Sequence, residues 1–294
     1  MSILLGLLSL VISIAVPVLI MIFADFQLLH FSIFFIIPAG AIAIGYACGF
    51  GFFKGLIISN KKISSKHFII GILMAFICLA SIKYATYHLT CVSPETGKIE
   101  YKLDGNHISN YQIDGYGRMT FVNFNKFMIE STPITFSRRG SQTLGEVTNP
   151  TACWVFAIID FLGVFIGVIA AGIGIKDKHQ YCETCNKYKN SKKIFKLLKT
   201  DGQAFFDELE IITNDISEST SLKQIIEKYN GKVKTGDAFL ECTLIYCHNC
   251  KKATLSFKLF EVTSTNKVKE NSEFKYNVAI NYNLVRDYIK EIAA

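Results

Sequence analysis

Four cysteines in two Cys-x-x-Cys pairs, Cys182 with Cys185 and Cys247 with Cys250, are the residues whose type and spacing point most directly to chemistry. Two residues between cysteines let both sulfurs face one ion from a tight turn, and two such knuckles complete the tetrahedral four-sulfur site that Zn2+ prefers. A closed site of this kind leaves no open position for a substrate, so the expected role of zinc is structural. The competing chemistry, thiol redox, goes with a thioredoxin-like βαβ pattern, and none flanks these pairs. Beside the second knuckle, Cys242 reads as strand core and His248 as an exposed residue between ligands.

The elements that must position these sulfurs can be read from the flanking residues. Phe239, Glu241, Thr243 and Ile245 alternate with Leu240, Cys242, Leu244 and Tyr246, and Leu255, Phe257 and Leu259 alternate after the turn. That pattern predicts a two-stranded hairpin with the knuckle at its tip. Cys182-Glu-Thr-Cys185, Cys247-His-Asn-Cys250 and this hairpin resemble a zinc ribbon, which implies a module of that kind rather than a particular protein. One departure matters. Sixty-one residues separate Cys185 from Cys247, against roughly 15–20 in compact four-cysteine sites, so a subdomain is expected between the halves. Phe205, Phe206, Leu209, Ile212 and Ile216 recur at helical spacing, as do Leu222, Ile225, Ile226 and Tyr229 before the helix stop Asn230-Gly231. The insert reads as two helices.

The rest of the chain sets where this module sits. Half of the 294 residues are hydrophobic and 19% are charged, against roughly 25% charged in soluble domains. Four stretches, 3–24, 28–53, 68–88 and 153–175, contain only two acidic or basic side chains, and each has the roughly 20 apolar residues that a spanning helix needs. A soluble enzyme, a disordered tail and a small disulfide-rich secreted domain are excluded. The first stretch lacks a preceding Lys or Arg and is longer than a cleavable signal core, so it is expected to be retained. Lys54, Lys61, Lys62 and Lys66 follow the second stretch, and a Lys-rich run follows the fourth. Basic flanks stay cytoplasmic. One topology satisfies both: cell membrane, multi-pass, both termini cytoplasmic. The expected fold class is an α-helical membrane protein, with helices 1–3 in residues 1–90, an extracytoplasmic loop domain over 91–152, a fourth span over 153–175, and a cytoplasmic α+β zinc-ribbon-like domain over 176–294.

Pro17 and Pro38 are expected to bend the first two helices. Ala41, Gly45 and Gly49 in the second span, and Gly163, Gly167 and Ala171 in the fourth, are spaced for close helix approach, to each other or across a homo-oligomer. Lys83 and Asp160 are the two charges within the spans. At 1.5 Å per residue they lie ~7.5 and ~10 Å below the outer helix ends, which predicts an intramembrane ion pair; the alternative is a Lys83 that reaches the headgroups beside Tyr84, Tyr87 and His88. Cys91 and Cys153 stand at the outer ends of the third and fourth spans. A disulfide between them would close the outer loop, and two thiols at headgroup level is the alternative. Within that loop Phe121, Phe124, Phe127 and Met128 form an amphipathic stretch, expected to pack on the loop's own core in preference to the bilayer.

No catalytic set accompanies these features: Gly-x-Ser-x-Gly, His-Glu-x-x-His and phosphate-cradling glycine motifs are all absent from the sequence. Lysines over Lys187–Lys199 fit contact with anionic lipid. The net charge of +4 on 176–294 is weaker than a nucleic-acid footprint, and nucleic acid is not an expected partner. The expected function is a protein-binding platform on a zinc-stabilised cytoplasmic domain; the alternative is a small transporter or channel component using Lys83 and Asp160.

Overall fold

Long apolar runs fold into four helices, α1 (Ser2–Ala24), α2 (Ala39–Ile58), α3 (Ser65–Leu89) and α5 (Pro150–Lys178), with a shorter α4 (Phe121–Ser131) between the last two. The four are long and apolar enough to cross a membrane. The computed structural model describes residues 2–33, 37–94, 97–102, 105–131, 134–138, 142–147, 149–214, 219–230, 233–234, 237–263 and 267–282. It divides into two units, Met1–Lys178 and His179–Ala294.

Local chemistry sets the helix ends. The second apolar stretch does not become helical at Leu28: residues Leu28–His30 make one 3-10 turn, and α2 starts at Ala39, immediately after Pro38. Proline lacks an N–H and disfavours helix in the residue before it, so Pro38 starts the helix instead of bending it. At the other end α2 continues past Phe53 to Ile58 and takes Lys54 into its last turns. The side chains of Ser64 and His67 form a capping box at the start of α3. In α5, Pro150 occupies the first position, and the Asn149 side chain accepts the Thr151 N–H at 2.9 Å.

Packing in the first unit centres on α2. It runs antiparallel to α1, with Gly55 against Ser2 and Gly51 against Leu5 and Ser9, and the Ser9 hydroxyl donates to the Cys48 carbonyl at 2.9 Å. Against α5 it runs parallel, Gly45 meeting Val164 and Gly49 meeting Val168. The two small-residue stripes therefore face each other within one chain. A methyl group at Gly45 would lie 2.0 Å from the Val164 carbonyl oxygen, and one at Gly167 would lie 2.2 Å from that of Ile42. Only glycine permits this approach.

Between α3 and α5 the chain forms short strands β1 (Thr90–Val92), β2 (Ile99–Tyr101), β3 (Asn106–His107), β4 (Gln112–Ile113) and β5 (Gly117–Arg118), then α4, then the hairpin β6 (Ile134–Arg138) and β7 (Gln142–Val147). A small core of Ile108, Met119 and Phe124, with Tyr87, Phe127 and Met128 against it, holds this segment together. The amphipathic stretch thus turns Phe124, Phe127 and Met128 onto the core of its own segment.

The second unit opens with the hairpin β8 (Tyr181–Cys182) and β9 (Lys187–Tyr188), followed by β10 (Asn190–Leu198), helices α6 (Gly202–Asn214) and α7 (Ser219–Tyr229), and strands β11 (Phe239–Tyr246), β12 (Lys252–Val262) and β13 (Val268–Asn281). Strands β10, β11, β12 and β13 form an antiparallel sheet in that order. The expected hairpin is β11 and β12, with Leu240 opposite Leu259, Cys242 opposite Phe257 and Leu244 opposite Leu255. Those side chains, with Phe195 and Leu197 of β10, pack against Phe205 and Leu209 of α6 and Ile226 and Tyr229 of α7. The two-helix insert therefore forms one layer of the module's core. Ile216, the last residue in the first helical repeat, lies outside the described residues.

The contact between α2 and α5 is testable. Gly45→Val should destabilise the chain by at least the ~1–3 kcal/mol of ordinary overpacking. Gly174→Ala, where an added methyl group meets nothing within 4 Å, should stay within about 0.5 kcal/mol of the parent. Thermal denaturation in detergent separates them, and equal melting of both variants would rule out the close approach.

Candidate functional site

Each cysteine pair sits in the turn of a hairpin, and the two turns are built alike. In the first, Cys182 pairs with Lys187 across β8 and β9. In the second, the Cys247 N–H donates to the Lys252 carbonyl at 2.9 Å. Asn186 and Lys251, each directly after the second cysteine of its pair, both have left-handed backbones, with φ of 51° and 54°. A left-handed residue here reverses the chain at once, which turns both sulfurs of a pair to the same side. Asparagine tolerates that conformation; at Lys251 it costs ~1–2 kcal/mol, a strain held by the hairpin around it.

The two turns bring all four sulfurs together, every pair within 4.8 Å and Cys182 Sγ 3.5 Å from Cys250 Sγ. Tetrahedral sulfurs 2.3 Å from a zinc-sized ion would stand ~3.8 Å apart, so the cluster fits an ion of that size with small adjustment. Cys182 and Cys247 are buried, while Cys185 and Cys250 are half-buried. Burial pushes the Cys247 thiol up, but the N–H groups of Cys250 and Asn249 together with hydrogen bonds to the Cys250 and Cys185 thiols outweigh this and bring it down to about 7. Burial and the three neighbouring thiols push Cys185 up to about 12. Sulfurs packed this closely cannot all lose their protons unless a cation replaces them, and that is what a metal ion does. Cys242 is fully buried in the sheet core, where burial raises its thiol well above the usual range. His248 is exposed, its ring 3.0 Å from the Tyr282 hydroxyl. No family model, curated protein or solved structure matches this chain.

In the first unit the structure brings Lys83 and Asp160 to the same residue, His30. Its Nδ1 lies 2.7 Å from Asp160 Oδ2, and its Nε2 lies 3.4 Å from Lys83 Nζ. A carboxylate only accepts and an ammonium only donates, so the ring carries its proton on Nδ1 and accepts on Nε2. The histidine joins the two charges in one chain of hydrogen bonds. It counts as uncharged and lies in an apolar run, so the charge census that singles out Lys83 and Asp160 passes over it. Beside the cluster is a cavity of ≈ 20 Å³, lined by Pro17, Met21, Gln27, His30, Lys83 and Thr86. That is room for about one water.

Cys91 lies in β1 and Cys153 in the first turn of α5, and both are buried. In the basic run, Lys193 Nζ reaches the buried Glu241 carboxylate at 2.9 Å, Lys199 reaches Glu261 at 2.6 Å, and Lys196 lies 4.7 Å above the Phe239 ring. Part of its charge is therefore used within the second unit.

Metal analysis of the purified full chain should find one tightly bound ion per molecule. Cys247→Ser should lose it and lower the melting temperature, while His248→Ala should retain both; a full metal complement in Cys247→Ser would remove the four-sulfur site. Asp160→Asn removes the charge that balances Lys83 through His30. It should cost about 3–5 kcal/mol, the usual effect of stranding one member of a buried charge pair, and unchanged melting in detergent would remove the cluster's structural role.

Proposed function

We propose that this chain is a multi-pass protein of the cell membrane with both termini in the cytoplasm. In this reading its second unit is a zinc-ribbon-like module, stabilised by one structural Zn2+ and used as a docking platform for a protein partner. The four-sulfur cluster carries the proposal. Its ligand set is closed, two of its sulfurs are buried, and it lies where the β8–β9 and β11–β12 turns meet, so an ion there braces a surface and has no position left to offer a substrate. Zinc suits four thiolates because it is redox-inert and prefers tetrahedral sulfur; iron suits the same donors, and the absorbance of the purified chain tells them apart.

Membrane insertion is supported by what the helices leave uncovered. Leu4, Leu8 and Val11 of α1, Leu73 and Ile77 of α3, and Val155, Ile158 and Leu162 of α5 are all about half exposed or more. A continuous apolar surface of this kind is stable against lipid and not against water. The basic flanks support the cytoplasmic placement of the second unit. After the intramolecular contacts of Lys193, Lys196 and Lys199, the exposed Lys187 and the half-buried Lys189 are candidates for anionic lipid.

The second reading, a transport component, draws on the Lys83–His30–Asp160 cluster. A cavity with room for one water favours a structural cluster, since conduction needs a continuous polar path. Crosslinking in native membranes distinguishes the readings. The platform should yield a partner at fixed stoichiometry that Cys247→Ser loses and Lys187→Ala keeps. Flux through the reconstituted chain that Asp160→Asn abolishes, with no such partner, would replace the platform with transport. In right-side-out vesicles, protease should cut within 91–152 and spare residues 176–294; cleavage of the latter would reverse the topology.

A further inference from the structure

Helix α4 has two faces, and only one is accounted for by the small core beneath it. Phe124, 1% exposed, turns inward with Phe127 and Met128. In its first turn Phe121 is 37% exposed, and Val122, on the side opposite Phe124, is 71% exposed. What surrounds that end decides what covers it. The Phe121 ring lies 6.0 Å from that of Tyr84 and 5.8 Å from that of Tyr87, both on α3. At its other end, the Glu130 carboxylate accepts the Trp154 indole N–H at 3.0 Å, from the second turn of α5. Glu130 is held below the usual carboxylate range by that N–H and, despite some desolvation, by the Tyr116 hydroxyl.

These partners fix the level of α4. Tyr84 precedes the end of α3 at Leu89 by five residues, ~7.5 Å along a helix. The helix therefore touches α3 more than one turn inside its end, and touches α5 beyond its first turn. Exposed Tyr84 adjoins its Phe121 end and exposed Trp154 its Glu130 end, so the uncovered first turn continues the apolar flank of α3. Tyrosine and tryptophan at that level mark the boundary between headgroups and acyl chains. Lys126 is exposed, with its Nζ 5.8 Å from the centre of the Tyr116 ring, and its long side chain can carry the charge from there to the phosphates.

We infer that α4 is an interfacial anchor whose Phe121–Val122 end is covered by the outer leaflet of the bilayer. The inference rests on the membrane reading above. Lipid is the occupant because the uncovered first turn of α4 continues the apolar surface of α3 at the depth of Tyr84, while the other end of α4 meets α5 at Trp154. In this arrangement the loop between α3 and α5 is held down on the membrane by its own amphipathic helix.

The experiment uses the full wild-type chain in phosphatidylcholine vesicles containing a lipid with a photoactivatable diazirine near the top of its acyl chain. Illumination, trypsin digestion and mass spectrometry follow. Cleavage after Arg118 and Lys126 isolates residues 119–126. Labelling of that peptide several-fold above 103–118 is expected, together with labelling of 1–54, which contains α1. Label on 1–54 with 119–126 no higher than 103–118 would overturn the anchor and leave the spans standing. No label on 1–54 would overturn the membrane reading and this inference with it. Val122→Asp should reduce labelling of 119–126 several-fold with unchanged melting in detergent; full labelling in that variant would also overturn the anchor.

Discussion

Four sulfur atoms within 4.8 Å of one another impose the strongest constraint on the second unit. As thiolates they repel, and as thiols they make only weak hydrogen bonds, so a cation is the one partner that makes their proximity strongly favourable. A structural zinc contributes about 10–16 kcal/mol in small modules, comparable to the whole stability of many domains. Its effect here would be positional. Hairpin β8–β9 has only two paired positions, too few to persist alone, and belongs to a sheet of its own. An ion held by Cys182, Cys185, Cys247 and Cys250 ties that hairpin to the turn of the main sheet, across the 61 residues between the two pairs. The helical insert is compatible with this because α6 and α7 pack on the sheet and do not intrude between the two turns.

The first unit solves a different problem with different residues. Its long helices have few polar groups to lock them, and their mutual packing is achieved by removing side chains. In α2, Gly51 and Gly55 admit the backbone of α1, while Gly45 and Gly49 admit that of α5. One helix thus makes two close contacts, and its neighbours turn their large side chains outward. The composition that leaves Leu4, Val11 and Ile158 exposed and the glycines buried reverses the pattern of a soluble bundle, and it is economical where lipid covers the outside.

Features governed by local spacing were legible in the sequence. The Cys-x-x-Cys turns, the β11–β12 hairpin around the second turn and the two inserted helices each follow from residues within one element. Strand β10 was hidden for a physical reason. Its register shifts between Lys193 and Phe195, which breaks the alternation, and its lysines give it the look of a charged linker although Phe195 and Leu197 are core. Strand β13 opens on the polar run Lys269-Glu270-Asn271, but Phe274, Tyr276, Val278 and Ile280 alternate after it, so its second half carries a strand signal in the sequence. Hydropathy also merged Leu28 with α2, because a 3-10 turn of Leu-Leu-His and a helix of Ala-Gly-Ala are equally apolar; Pro38, which carries the distinction, was read as a bend and not as a start.

That misplaced start and the unrecognised role of His30 have one cause. A direct contact between Lys83 and Asp160 would have required only α3 and α5, leaving the segment before α2 free to continue as helix. By inserting an imidazole between the charges, the structure recruits residues 28–30 and holds them at the side of the bundle. The chain then returns to α2 through Phe31, whose carbonyl accepts the Gly40 N–H at 2.9 Å, and Gly40 is small because a methyl group there would lie 1.8 Å from the Leu28 carbonyl oxygen. The polar cluster, the interrupted helix and the glycine after Pro38 are parts of one arrangement. Buried Asp160 and half-buried Lys83 each gain a hydrogen bond to the ring, and the cost is a shorter second helix.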